Sequence, residues 1–194
     1  MLVEDLTTAD LLFSGRPPAP LAALEPDGVV AVGSFSKVLW GGLRAGWLRA
    51  DPALVLRLGR LKAAHDLGTG LLDQAACVAA MPRLAEITAA RRAMAASRYE
   101  LITGLISEQL PDWRVTVARG GYSLWAQLPG ADAAGFAATA LEQGVAVSSG
   151  GSSAPEDLFL DHLRLCFTAE PDDLRTAVEQ LASIWRARSA APAA

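Results

Sequence analysis

Lysine and cysteine are scarce in this chain of 194 residues. Only two of its 17 basic residues are lysine, so chemistry that needs a lysine amine is restricted to Lys37 and Lys62. The two cysteines, Cys77 and Cys166, lie among apolar neighbours. This setting predicts buried small side chains and argues against a disulfide or a metal-binding pair.

Histidines, basic tracts and long apolar runs are also limited. His65 and His162 have no partner at metal-ligand spacing, so we expect two structural histidines and no metal site. No apolar run reaches the ~18 residues that a membrane span needs. A net charge of −4 without a basic tract disfavours nucleic-acid binding by this segment. The first residues lack the basic region of a signal peptide, so we expect a cytoplasmic location.

The chain is nevertheless rich in material for a core. Its composition is 52% hydrophobic and 20% charged, which excludes a disordered chain. The length allows one domain or two small ones.

Apolar runs alternate with helical periods over the first 80 residues. The doubly apolar run Val29–Gly33 is typical of a buried parallel strand, and Leu2–Val3 and Gly46–Leu48 predict two more strands. Asp51-Pro52 predicts the start of a helix, because aspartate caps a helix and proline suits its first turn. Further helices are predicted over about 71–81 and 83–110. This part therefore indicates a parallel α/β arrangement.

The character changes after Pro111. We expect a hairpin around Gly120-Gly121, and a final helix that begins at Pro171. The 3.6-residue period predicts one apolar stripe on this helix: Leu174, Val178, Leu181, Ile184 and Trp185. The other predicted elements are strands over 145–147 and 163–167, a helix over 131–143 and a flexible loop, Ser148–Ser153. Residues 1–80 are thus assigned to an α/β domain, 81–187 to a smaller α+β domain, and 188–194 to a frayed tail.

The most informative stretch is residues 29–48, which read VVAVGSFSKVLWGGLRAGWL. Ser34, Ser36 and Lys37 follow directly on a buried strand, and Arg44 comes seven residues after the lysine. Ligands of α/β sheets bind outside the carboxyl ends of strands, where these residues are expected. Hydroxyls and a guanidinium bind phosphate oxygens, and a lysine of lowered pKa can form a Schiff base. The group suits a phosphorylated cofactor.

This stretch resembles the cofactor-lysine segment of fold-type I pyridoxal-phosphate enzymes, the class I/II aminotransferases. The sequence of this stretch is most similar to the aminotransferase-like domain of MocR regulators in the GntR family. The resemblance continues, in the same order, through DLGTGLLDQAA, RGGYSLWAQLP and HLRLCFT, and so covers essentially the whole chain. It implies the C-terminal part of a fold-type I large domain followed by the α+β small domain.

The resemblance also implies roles for individual residues. Lys37 would form the Schiff base with pyridoxal 5'-phosphate and move the proton in transamination, while Ser34, Ser36 and Arg44 would lie at the cofactor, with Ser34 and Arg44 on its phosphate. Asp5 would pair with the pyridine nitrogen and keep it protonated. The substrate or effector would be an amino acid or an amine, and Arg164 would bind the α-carboxylate of an amino-acid substrate. By the same resemblance the protein would be a homodimer.

Simpler interpretations stay open for each residue. Lys37 could be an ordinary loop lysine, Arg44 could form a surface ion pair, and Asp5 could cap a strand. Arg164 could form a buried ion pair with Asp161. The family's tyrosine three residues after the aspartate is threonine here, and Ser148–Ser153 replaces a Pro-Gly-x-x-Phe type of segment.

Three functions are weighed against one another. The first is a pyridoxal-phosphate-dependent aminotransferase, and the second is a non-catalytic sensor of cofactor and effector in a MocR-type regulator. The third is an inactive relic, expected if the missing N-terminal half of the large domain leaves the site incomplete. The motif S-x-x-K at Ser34–Lys37 also occurs in penicillin-interacting enzymes, but the S-D-N and K-T-G motifs that accompany it are absent.

Overall fold

The computed structural model describes residues 1–155 and 158–190, and it divides into two compact units, Met1–Ala93 and Met94–Ala194. The first unit holds strands β1 (Leu2–Asp5), β2 (Val29–Ser34) and β3 (Gly46–Arg49), and helices α1 (Leu21–Leu24), α2 (Pro52–Asp66) and α3 (Leu71–Ala80). Helix α4 (Leu84–Gln109) begins in the first unit and continues into the second. The second unit holds strands β4 (Arg114–Val115), β5 (Ser123–Gln127), β6 (Ser148–Ser149) and β7 (His162–Cys166), and helices α5 (Ala133–Glu142) and α6 (Pro171–Ala190).

The first unit is built on a three-stranded sheet in the order β1-β2-β3. Strand β2 is its buried centre, as the apolar run Val29–Gly33 predicted: Val29, Val30 and Ala31 are all buried. β1 pairs with β2 in parallel, but β3 runs antiparallel to β2, which corrects the expectation of an all-parallel sheet. The segment between β2 and β3 contains no crossover helix of the kind that a parallel pair needs.

Helix α2 begins as predicted at Asp51-Pro52. The Asp51 carboxylate accepts hydrogen bonds from the backbone N–H groups of Ala53, at 2.9 Å, and Leu54, at 3.3 Å. These bonds satisfy donors that have no partner within the first helical turn. Despite its leucines, α2 has no buried residue, and most of the exposed large apolar side chains among the described residues lie in this first unit.

The second unit packs helices on one face of a four-stranded antiparallel sheet with the order β4-β5-β7-β6. The hairpin expected around Gly120-Gly121 is confirmed, since β4 and β5 pair antiparallel across it. The predicted apolar stripe of α6 is also buried, and consists of Leu174, Val178, Leu181, Ile184 and Trp185. Trp113, Phe136 and Trp185 meet edge to face in the core, at ring-centre distances of 5.5 to 6.1 Å.

Four sequence predictions in this unit were wrong. Residues 145–147 are not a strand, and the strand in this region, β6, comprises Ser148–Ser149. Gly150–Ser153 forms a 3-10 helix, so the segment Ser148–Ser153, which was expected to be a flexible loop, has regular structure. Cys166 is exposed, whereas Cys77 is buried as expected. Helix α6 continues to Ala190, past residue 188 where the tail was predicted to begin, and residues 191–194 of that tail lie outside the described residues.

Within residues 1–155 and 158–190, no helix has both the length and the apolar character required to cross a membrane.

Candidate functional site

The candidate site lies at one edge of the first sheet, where β1 and β2 both end. Asp5 is the last residue of β1 and pairs with Val32 of β2, and the Leu6 N–H donates to the Val32 carbonyl at 2.8 Å. Paired residues of adjacent strands share a face, and so do residues two apart along one strand. Asp5 and Ser34 therefore lie on the same face at the carboxyl edge of the sheet.

A hydrogen-bonded turn follows β2 and carries Lys37. The Ser36 N–H donates to Ser34 Oγ at 3.1 Å, and the Leu39 N–H donates to the Phe35 carbonyl at 2.8 Å. Val38 is buried and anchors the turn, while Lys37 beside it is exposed. The lysine is therefore presented to solvent from a closed turn, with two serines at the start of that turn.

Arg44 approaches the same edge from the segment that leads into β3. The Phe35 N–H donates to the Ala45 carbonyl at 3.1 Å, and Ser34 pairs with Gly46. The backbone of Arg44 is left-handed, with φ of 47°, and its Nη1 donates to the Gly41 carbonyl at 3.5 Å. A non-glycine residue in this conformation costs about 1–2 kcal/mol, so the surrounding chain holds Arg44 there against a local preference.

The carboxylate of Asp5 is electrostatically suited to a positively charged partner. The Thr7 N–H donates to Asp5 Oδ1 at 2.8 Å, and this bond is the largest cause of a pKa held below the ordinary value for aspartate. A hydrogen bond to the ionised form stabilises that form. Asp5 is exposed and anionic at neutral pH.

The structure therefore brings together five of the six predicted site residues: Asp5, Ser34, Ser36, Lys37 and Arg44. Two hydroxyls and a guanidinium are donors for a phosphate, an amine is a nucleophile towards an aldehyde, and an ionised carboxylate pairs with a protonated ring nitrogen. This donor set has the chemistry that pyridoxal phosphate requires.

Arg164, the sixth predicted residue, lies in the second unit on β7. It pairs with Trp125 of β5 and with Ser148 of β6, and its Nη2 donates to Ser148 Oγ at 3.4 Å. The side chain is exposed and, within the part of the chain that the structure describes, has no carboxylate partner. The alternative of a buried ion pair with Asp161 is therefore wrong.

Asp161 instead takes part in a cluster around His162. Gln127 Nε2 donates to Asp161 Oδ2 at 2.7 Å, and Asp161 Oδ1 lies 2.6 Å from His162 Nδ1. The bond from Gln127 is the largest cause of a lowered Asp161 pKa, followed by the contact with His162. His162 stacks on Trp125 with ring centres 5.4 Å apart.

The sequence predicted a structural role for His162, and neither His162 nor Trp125 was associated with Arg164. Paired strand positions place all three on the face of the sheet opposite the buried leucines of β7. The two-residue alternation of HLRLC indicated this face in the sequence. Leu163 and Leu165 are buried, whereas His162, Arg164 and Cys166 are not. An aromatic surface beside the guanidinium is the feature that was missed.

Comparison with known proteins shows which proteins this chain is similar to. No family model matches the chain. In sequence it is 30% identical to aromatic-amino-acid aminotransferase 1 of Thermococcus litoralis, over 94% of this chain and 45% of the relative. In structure it matches LysN, the α-aminoadipate aminotransferase of Thermus thermophilus, with a TM-score of 0.90 and 27% identity, over 97% of this chain and 50% of the other. The chain is a homologue of the fold-type I aminotransferases.

This aminotransferase homologue spans about half the length of the relatives it matches. The LysN structure holds N-(5'-phosphopyridoxyl)-L-leucine. The homologue is also 30% identical to an uncharacterized HTH-type transcriptional regulator of Bacillus subtilis, YisV, over 64% of this chain and 26% of that protein. The fold expected from the sequence, the C-terminal part of a large domain followed by a small α+β domain, is confirmed.

Proposed function

We propose that this chain is part of a pyridoxal-phosphate-dependent, aminotransferase-like protein that transfers an amino group from an amino acid or amine. The observation that carries the proposal is the convergence of Asp5, Ser34, Ser36, Lys37 and Arg44 at the carboxyl edge of β1 and β2. Relatives that are aminotransferases support it.

Each residue has a distinct task in this proposal. Ser34 and Arg44 bind the cofactor phosphate, and Ser36 lies beside them. The left-handed backbone of Arg44 fixes the position from which its guanidinium extends. Asp5, already anionic through the Thr7 N–H, holds a proton on the pyridine nitrogen. With that nitrogen protonated, the bound cofactor supplies a ring that accepts electrons from the substrate.

Lys37 has two tasks. Its amine would hold the cofactor covalently through the aldehyde carbon, and the same amine, once free, would move a proton at the substrate Cα. Arg164 binds the substrate carboxylate through its planar fork, which matches two carboxylate oxygens. The family resemblance adds the expectation of a homodimer in the cytoplasm.

Reductive labelling tests the proposal directly. The protein is mixed with pyridoxal phosphate, reduced with borohydride and digested, and the labelled lysine is identified by mass spectrometry. We expect label at Lys37, and its loss in Lys37→Ala. Lys62 is an internal reference in every sample, because it is exposed and forms a surface ion pair with Asp66 at 2.6 Å. Absence of label at Lys37, or equal labelling of the two lysines, would refute the proposed role.

A second candidate function is a sensor module in which cofactor and effector bind without turnover. The similarity to regulators of the HTH type favours it. A single-turnover assay separates the two functions, because an aminotransferase converts the aldehyde of the bound cofactor to an amine when an amino acid is added. A sensor shows binding without that conversion.

A further inference from the structure

Two consecutive arginines on α4, Arg91 and Arg92, donate to backbone carbonyls far away in sequence. Arg91 Nε donates to the Val38 carbonyl at 3.1 Å, and its Nη2 donates to the Leu39 carbonyl at 2.9 Å. Arg92 Nε donates to the Leu12 carbonyl at 2.7 Å, and its Nη2 to the Gly15 carbonyl at 2.6 Å. Each guanidinium thus binds two carbonyls of one segment.

The carbonyls bound by Arg91 belong to the two residues that follow Lys37. A guanidinium presents its donors in a rigid planar fork, so two bonds from one fork fix both the position and the orientation of the segment they hold. Within the turn, the Leu39 N–H donates to the Phe35 carbonyl. Arg91 adds two hydrogen bonds to the same turn from helix α4, and the buried side chain of Val38 anchors the turn.

The segment bound by Arg92 follows β1 and does not include Lys37. Leu11, just before it, is completely buried. Arg92 thus matches Arg91 in residue type, helix and number of bonds, but it acts on a different segment.

We propose that Arg91 is a positioning residue for Lys37: its fork on the Val38 and Leu39 carbonyls holds the turn in the conformation that presents the lysine amine to the cofactor. The inference rests on the proposed function of Lys37. It extends the site to a residue 54 positions away that does not itself contact the cofactor.

The test compares Arg91→Met with Arg92→Met, since both variants remove a fork of two carbonyl bonds from the same helix. Each protein is labelled with pyridoxal phosphate and borohydride, and the ratio of label at Lys37 to label at Lys62 is measured. Loss of Arg91 should lower that ratio by at least about tenfold, because a single lost hydrogen bond to a charged group already corresponds to about that change and Arg91 makes two. Arg92→Met should lower the melting temperature while retaining a clear preference for Lys37.

Amide hydrogen exchange gives a readout that does not depend on the cofactor. Exchange at the Leu39 N–H should accelerate about tenfold in Arg91→Met and stay unchanged in Arg92→Met. Arg91→Lys covers the case in which the methionine variant does not fold. A lysine ammonium cannot reproduce the planar fork, so we expect an intermediate labelling ratio.

The outcomes separate the two proposals. If Arg91→Met and Arg91→Lys keep the wild-type labelling ratio and Leu39 exchange rate, the positioning role is overturned while the function of Lys37 stands. If the wild-type protein shows no preference for Lys37, the proposed function fails. Arg83→Met removes only the exposed pair with Glu86 and should match the wild type in both measurements.

Discussion

Gly46 is a position where the addition of one methyl group should disturb the candidate site, because the nearest atom is backbone. A Cβ at this residue would lie 2.7 Å from the Gly33 carbonyl oxygen, whereas ordinary contacts begin at about 3.4 Å. The oxygen belongs to backbone at the end of β2, so relief requires the β2–β3 pair to open by roughly 0.7 Å at Ser34 and Gly46.

The cost of Gly46→Ala follows from that displacement. Overpacking against backbone typically costs about 1–3 kcal/mol, and the neighbouring bond from the Phe35 N–H to the Ala45 carbonyl is weakened as well. For a protein of this size, each 1 kcal/mol lowers the melting temperature by about 2–4 °C. We therefore expect a fall of about 2–12 °C in thermal unfolding followed by circular dichroism. The fraction of protein labelled at Lys37 should also fall, because Arg44 lies two residues before the displaced strand.

The matched control is Gly41→Ala, in the same connection between β2 and β3. A Cβ at Gly41 meets nothing within 4 Å, and its φ is not in the left-handed region. This variant should melt within about 1 °C of the wild type, in line with surface substitutions that disturb no contact. Equal melting temperatures for Gly46→Ala and Gly41→Ala would show that β3 is free to move away from β2, and the steric reasoning would be refuted.

Two further predictions concern charge and core packing. Because the folded-state pKa of Asp5 is lowered, its stabilising contribution is present above the unfolded pKa and lost as pH falls through the folded pKa. Urea midpoints measured between about pH 5 and pH 2 should therefore fall less in Asp5→Asn than in the wild type; parallel curves would contradict the role of the Thr7 N–H. Phe167→Ala should destabilise the second unit by about 3–5 kcal/mol in urea unfolding, because this ring is fully buried and packs edge to face on Tyr99 at 6.0 Å. Val117→Ala, on an exposed side chain, is its control and should change stability by less than about 0.5 kcal/mol.

Local signals were sufficient for much of the fold. The cap at Asp51, the apolar run of β2 and the stripe of α6 each depend on residues close together in sequence, and the structure confirms all three. The placement of Ser34, Ser36 and Lys37 after a buried strand was predicted for the same reason. A turn that directly follows a strand must lie at the end of that strand.

The errors came from pairing that is not local. Ser148–Ser149 has the composition of a loop, yet it forms β6 because the nearby edge of β7 offers Arg164 and Leu163 as partners. Cys166 has apolar neighbours in sequence, but strand alternation places it on the exposed face of β7 with Arg164. Neither the bonds of Arg91 nor those of Arg92 could be predicted, since they join residues more than 50 positions apart.

The left-handed backbone of Arg44 affects which residues are favoured at this position. Glycine or asparagine adopts that conformation more readily, so either replacement would relieve local strain while it removed the guanidinium. If Arg44 binds the cofactor phosphate as proposed, stability and phosphate binding select for different residues at position 44. In homologues that do not bind the cofactor, this position should then change to glycine or asparagine before the buried residues of β2 change.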